Sequence, residues 1–216
     1  MKIVFVVLVI ISHCVMASGV EGNENGGVII ARDSCTELMS GECEGNVSYV
    51  INYSTLTISG EGDMDDCEND DIFPWHDCQN KIETVVIGKG VTSISDGSFR
   101  QFSALVNVTI PSSVTKIGQR AFYECSSLKN VVIPYGVKEI GTNAFTYCTS
   151  LASFVIPSSV AVMSDACFYG CSSLSSVTIS FGVTRIGNNA FQSCSSLTNI
   201  IIPSSVTELG QLAFMG

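Results

Sequence analysis

The stretch AFYECSSLKNVVIP, residues 121–134, returns with small edits as AFTYCTSLASFVIP (144–157), CFYGCSSLSSVTIS (167–180) and AFQSCSSLTNIIIP (190–203). Phe99, Phe122, Phe145, Phe168, Phe191 and Phe214 stand 23 residues apart without an insertion, and Leu105, Leu128, Leu151, Leu174 and Leu197 keep the same step. A fixed period of roughly 20–50 residues is the signature of a stacked array in which each unit covers its neighbour. One repeat shows how. In residues 128–150, Leu128, Val131 and Ile133 are apolar with Val132 between the last two, so a short strand with Val131 and Ile133 inward is predicted. Pro134 has no N–H to continue a ladder, Tyr135-Gly136 turns the chain, and Val137 and Ile140 face inward in a second extended segment. Ala144, Phe145 and Cys148 then follow at i, i+1, i+4, the spacing of one tight helical turn.

Stacking such coils about 4.8 Å apart places each apolar residue on its counterpart. Cys125, Cys148, Cys171 and Cys194 share the period and are read as a buried column of small apolar thiols, with Cys167 in an Ala position beside them. Tetrahedral zinc needs four ligands around one point, whereas these would lie on a line about 15 Å long. No metal or other cofactor is expected.

The chain begins MKIVFVVLVIISHCVMASG, with Lys2 ahead of an apolar run and Val15-Met16-Ala17 as a small-residue cleavage site. Residues 1–17 read as a signal peptide, too short for a comfortable membrane span, which predicts secretion or display at a cell surface. No integral membrane span is expected after cleavage. Acidic residues outnumber basic ones 20 to 10 and no Lys/Arg cluster occurs, which argues against nucleic acid as a partner. EGDMDDCENDD, residues 61–71, holds seven carboxylates. Asp63, Asp65 and Asp66 begin like a calcium loop, but Cys67 and Glu68 break the ligand spacing, leaving a solvated loop.

The organisation predicted is a flexible Gly/Asn-rich segment at 18–34, a small β-rich N-terminal capping unit at 35–81, and the repeat array at 82–216, truncated in its last coil. VSYVINYSTLTISGEG reads as two alternating strands ending in a Gly turn. Cys35, Cys43, Cys67 and Cys78 lie in a segment with little core of its own, so disulfides are expected. Three pairings are possible for four cysteines. The local loops Cys35–Cys43 and Cys67–Cys78 are favoured.

The phrase F-x-x-C-S-S-L-x-x-V-x-I-P-x-x-V-x-x-I-G-x-x-A resembles the BspA-like leucine-rich repeats of bacterial and protist surface proteins, over residues 82–216. YSTLTISGEGDM and FPWHDC are similar to the segment that commonly precedes those repeats. The resemblance implies a horseshoe-type solenoid, an α+β repeat fold of short strands in 23-residue coils, used for adhesion to host or matrix proteins or to other cells. Two departures stand out: Phe102 takes the Cys position of the first repeat, and Met163-Ser164 replaces Ile-Gly in a middle coil.

Catalysis is not expected. Beyond the leader His76 is the one histidine, placed beside Trp75 in what reads as a surface turn, and no serine sits in a nucleophile-elbow pattern. A secreted β-helix enzyme acting on polysaccharide would need acids clustered on adjacent coils. Asp96, Glu124, Glu139, Asp165 and Glu208 read as occupying different repeat positions, without a recurring pair. The function expected is a non-catalytic binding or adhesion module, with a self-associating structural coat as the alternative.

Two contact surfaces follow from the register. The outward positions of the first strand, Val86, Thr109, Val132, Val155, Thr178 and Ile201, form a Val/Thr/Ile stripe. The following turn alternates Lys89-Gly90, Ser112-Ser113, Tyr135-Gly136, Ser158-Ser159, Phe181-Gly182, Ser204-Ser205, a true period of 46. Gly there permits positive φ, and Tyr135 and Phe181 would stand on one edge. Asn46, Asn52 and Asn107 head N-x-S/T sequons and are candidate glycosylation sites. Ile200, Ile202, Val206, Leu209 and Phe214 have no following coil, so self-association through the open end is expected as well.

Overall fold

The computed structural model describes residues 35, 38–43, 46–64 and 73–216, and the backbone of a short antiparallel pairing between β1 (Ile10–Ile11) and β2 (Cys14–Val15). The rest of the expected leader, segment 18–34, Cys67 and most of the acidic run lie outside the described residues. The chain then folds as a β-solenoid of 23-residue coils, confirming the array read from the spacing.

Strand β3 (Met39–Glu42) pairs antiparallel with β4 (Asn46–Asn52), which pairs antiparallel with β5 (Thr55–Asp63). The Gly turn expected after this segment does not form. Instead β5 runs on through Gly60 and Gly62, both at positive φ (116° and 111°), and feeds two parallel ladders. Thr55 to Ile58 pair with β6 (Thr84–Ile87), and Gly62 and Asp63 with β7 (Val91–Ile94). Later coils extend each ladder by one strand: β8 (Asn107–Thr109) and β9 (Lys116–Ile117), β10 (Asn130–Val131) and β11 (Glu139–Ile140), β12 (Ser153–Ile156) and β13 (Val162–Met163), β14 (Ser176–Ile179) and β15 (Arg185–Ile186). The second ladder ends on β16 (Glu208–Leu209). The N-terminal hairpin is thus the first rung of the solenoid.

The helical turn implied by the α+β label is corrected. Among the described residues the one helix described over its full length is a three-residue 3-10 turn, His76–Cys78. In the A-F-x-x-C segment, Asn143 and Tyr147 are left-handed (φ 58° and 59°), as are Arg120 and Glu124 one coil earlier. The N–H groups of Asn143, Phe145 and Tyr147 donate to Asp165, Cys167 and Tyr169 of the next coil at 3.1, 2.9 and 2.8 Å. An α-helix would need those donors for its own carbonyls. The i, i+1, i+4 spacing reports which side chains face inward, and this third ladder supplies the backbone geometry.

Both strand ladders break at one place, between β10 and β12 and between β11 and β13. Met163-Ser164 stands at this joint. In four other coils (Gly118, Gly141, Gly187, Gly210) the Gly after the second strand lets the coils approach: a Cβ on Gly141 would lie 2.5 Å from the Gln119 backbone nitrogen. Gly118 and Gly141 then donate their N–H to Ile94 and Ile117 at 2.7 and 2.8 Å. Ser164 carries a Cβ at that position, and its hydroxyl donates to the Ile140 carbonyl at 2.6 Å. The side chain takes over the acceptor and the ladder restarts beyond it.

The interior is columnar. Phe99, Phe122, Phe145, Phe168, Phe191 and Phe214 stack face to face with ring centroids 5.2–5.5 Å apart. Trp75 is fully buried rather than in a surface turn. It stacks on Phe99 at 6.2 Å and its indole N–H donates to the Ser98 carbonyl at 2.8 Å. Phe102 is buried and meets Phe99 and His76 edge-on, which closes this end of the core against the 3-10 turn.

Candidate functional site

The thiols are held rather than exposed. Cys125, Cys148, Cys171 and Cys194 are buried, and each S–H donates to a phenylalanine carbonyl of an earlier coil, on Phe99, Phe122, Phe145 and Phe168 at 3.1–3.2 Å. A small side chain with one weak donor suits that position. Burial pushes the thiols upward, Cys194 to about 11 and Cys125, Cys148, Cys167 and Cys171 further, so none is a thiolate nucleophile near neutrality. Among the described residues no three His, Cys, Asp or Glu side chains converge as a metal site.

The local disulfide pairings are overturned. Cys35 is bonded to Cys78, with Cα atoms 5.5 Å apart and a sequence separation of 43. Cys43 is also disulfide-bonded, to another cysteine. Short loops are the favoured closures from spacing alone, but the hairpin lies on the first coil and brings the segment before β3 to the 3-10 turn.

The carboxylates need a correction as well. Asp96 and Asp165 share a repeat position, as do Glu139 and Glu208, with the members of each pair three coils apart. Asp96 and Asp165 accept the N–H of Gln119 and Asn188 in the following coil at 2.7 and 2.8 Å. Glu208 accepts from Arg185 at 2.9 Å. These acids serve the stack.

His76 is half-buried between Phe73 and Phe102, and its Nε2 has no hydrogen-bond partner among the described residues. Burial lowers its pKa from the ordinary 6.5, against backbone groups of Gly97 and Ser98 that favour the cation. The unfolded chain therefore takes up a proton before the folded one does as pH falls. Stability should decline as pH drops below 6.5 and level off once the folded-state value is passed. His76→Phe should flatten that part of the profile in thermal unfolding between pH 7 and pH 5.

The strand stripe is in register on either side of the ladder break, which falls between Val132 and Val155. Val86 pairs with Thr109, Val155 with Thr178, and Thr178 with Ile201. Thr109, Val132, Val155, Thr178 and Ile201 are exposed, Val132 at 78%, Val155 at 57% and Ile201 at 85%, while Val86 is half-buried. Thr57, missed in the sequence reading, pairs with Val86 and carries the stripe onto the hairpin. The alternation in TLTIS held that signal.

Tyr135 and Phe181 are exposed at 74% and 73%. The glycines beside them work differently from expectation: Gly182 has positive φ (118°), but Gly90 and Gly136 do not. A Cβ on Gly136 or Gly182 would stand 2.8 Å from the carbonyl oxygen of Ser112 or Ser158, so close approach selects Gly. In the intervening coils the hydroxyls of Ser113, Ser159 and Ser205 donate to Val91, Val137 and Val183 at 2.6–2.8 Å. The period of 46 is an alternation of these two contacts.

Asn46, Asn52 and Asn107 are exposed, Asn107 on β8 beside the stripe. In the last coil Ile202 and Leu209 are exposed, with Ile200, Val206 and Phe214 partly buried.

Six copies of the BspA type leucine-rich repeat region match residues 73–194. The chain belongs to the BspA-type leucine-rich repeat family. Among solved structures it is similar to a leucine-rich cell surface protein of Faecalibacterium prausnitzii, with 31% identity over 80% of this chain and a TM-score of 0.62. A leucine-rich repeat protein of Eubacterium ventriosum shares the fold at 24% identity over 83% of this chain, TM-score 0.59. This BspA-type chain spans 51% of the first protein and 64% of the second. No functionally curated protein matches it. No helix among the described residues is long and apolar enough to cross a membrane.

Proposed function

We propose that this BspA-type chain is a secreted or surface-displayed binding module. It engages a protein of another cell or of an extracellular matrix through the outward strand stripe, without catalysis. The observation that carries this reading is the row of repeat-equivalent residues Thr109, Val132, Val155, Thr178 and Ile201, exposed on a solenoid whose inward residues are committed to the core. Large exposed apolar side chains recurring along one strand face mark a contact surface. Tyr135 and Phe181 add exposed rings of the kind that anchor interfaces. Display at a surface is supported by the Faecalibacterium cell surface protein and by the leader-like first 17 residues.

Two lysines in the middle of the stripe, Val132→Lys with Val155→Lys, should reduce attachment to cells or immobilised matrix protein at least about tenfold by placing unpaired charge in the contact. The circular dichroism should not change, because both side chains point to solvent. Unaltered attachment would remove the stripe as the binding surface. A glycan on Asn107, detected as a mass loss on glycosidase treatment, would confine contact to the coils beyond β8.

A further inference from the structure

The third ladder forms a face of its own, and its side chains depart from the repeat in one direction. Tyr123, Tyr147 and Tyr169 line a hollow of about 680 Å³ with Arg100, Arg120 and Asn143. The rings meet edge to face, Tyr123 to Tyr147 at 6.1 Å and Tyr147 to Tyr169 at 5.4 Å. A second hollow of about 570 Å³ shares Gln101, Glu124 and Tyr147 with the first, so the two form one trough. From Arg100 to Asn189 it crosses four coil steps, about 19 Å at the spacing of paired strands.

The backbone under the trough is fixed. Arg120, Glu124, Asn143 and Tyr147 hold left-handed backbone, as do the matching residues of the other coils, and inter-coil hydrogen bonds fix it. Gly170 leaves room for the Tyr147 ring: a Cβ there would stand 2.5 Å from it. These aromatic groups are set before any ligand arrives, which limits the ordering cost of binding.

The charge is inverted as well. The chain carries 20 acidic and 10 basic residues, yet the trough has two guanidinium groups against one carboxylate. Glu124 is engaged by Gln101, which donates to it at 3.1 Å. Arg100 and Arg120 are exposed and make no ion pair among the described residues.

We propose that this trough binds a saccharide strand carrying carboxylates, of the uronic-acid class. Ring faces accept the C–H faces of sugars, and amide and hydroxyl groups pair with sugar hydroxyls. A guanidinium matches a carboxylate with two parallel hydrogen bonds. The length and openness of the trough suit a linear polymer. A peptide adding as a strand is disfavoured, because the backbone N–H groups of this face are taken by the following coil. This site is on a different face from the strand stripe and does not depend on it.

Calorimetric titration with a galacturonic acid hexasaccharide tests it, with maltohexaose and a hexaglutamate peptide alongside. The acidic saccharide should bind at least about tenfold more tightly than either control, and its affinity should fall with salt. Tyr147→Ala and Arg120→Gln should each weaken it about tenfold, and Tyr147→Phe should retain most of it. The stripe variant with Lys at 132 and 155 should bind the saccharide like the parent. No binding of the hexasaccharide, equal binding of the peptide, or affinity unchanged in both Tyr147→Ala and Arg120→Gln would overturn the proposal. Arg120 is exposed, so its variant decides the matter should Tyr147→Ala fail to fold.

Discussion

Replacing Phe145 by alanine should lower stability by about 3–5 kcal/mol, the cost of truncating a fully buried aromatic side chain. Phe145 is completely buried, stacked on Phe122 at 5.2 Å and Phe168 at 5.5 Å and met edge-on by Phe154 at 5.1 Å. Each coil touches mainly its neighbours, so the cavity opens a joint between two parts of the stack. That joint adjoins the place where both strand ladders already break. Urea unfolding followed by circular dichroism should show a lower midpoint and a separated first transition. Val155→Ala, on the outward face, should stay within about 0.5 kcal/mol. Equal effects of the two substitutions would mean that the phenylalanine column is not the core.

Removing the Cys35–Cys78 bond should cost about 4 kcal/mol if chain entropy is the main term, because the bridge closes a loop of this length. The variant Cys35→Ala with Cys78→Ala keeps the other bridge and leaves no unpaired partner. Its thermal unfolding should shift down strongly, and the loss should concentrate on the hairpin that forms the first rung. Peptide mapping without reduction should recover residues 35 and 78 in one linked product. A linked product joining residues 35 and 43 would contradict the structure and restore the local pairing.

The array was legible because its signal is repetition. Phe, Cys and Leu at a step of 23 settle which side chains share a column, and alternation around Val131 and Ile133 settles which face inward. Backbone conformation was less legible. Ala144, Phe145 and Cys148 have helical spacing, but helix and left-handed turn place the same side chains inward, and inter-coil N–H donation decides between them. The disulfide was hidden because proximity in sequence says nothing about where the hairpin docks. The stripe could be read from strand register, since outward positions follow from inward ones. The tyrosine trough could not: Tyr123 and Tyr169 share a repeat position, while Tyr147 sits one residue beyond its own coil's equivalent. A search along fixed columns passes over it, and the space left by Gly170 appears once the coils are stacked.

The proposed contact with a protein partner runs along the outward strand face. The most direct measurement places a photoactivatable benzophenone side chain at position 155, on that face, or at position 162, exposed on the second ladder. Each protein is bound to intact cells or matrix, irradiated, and challenged with excess unlabelled chain. A competed cross-link is expected from position 155, lost in Val132→Lys, with little from position 162. Cross-linking of equal yield from both positions, or from position 162 alone, would contradict it.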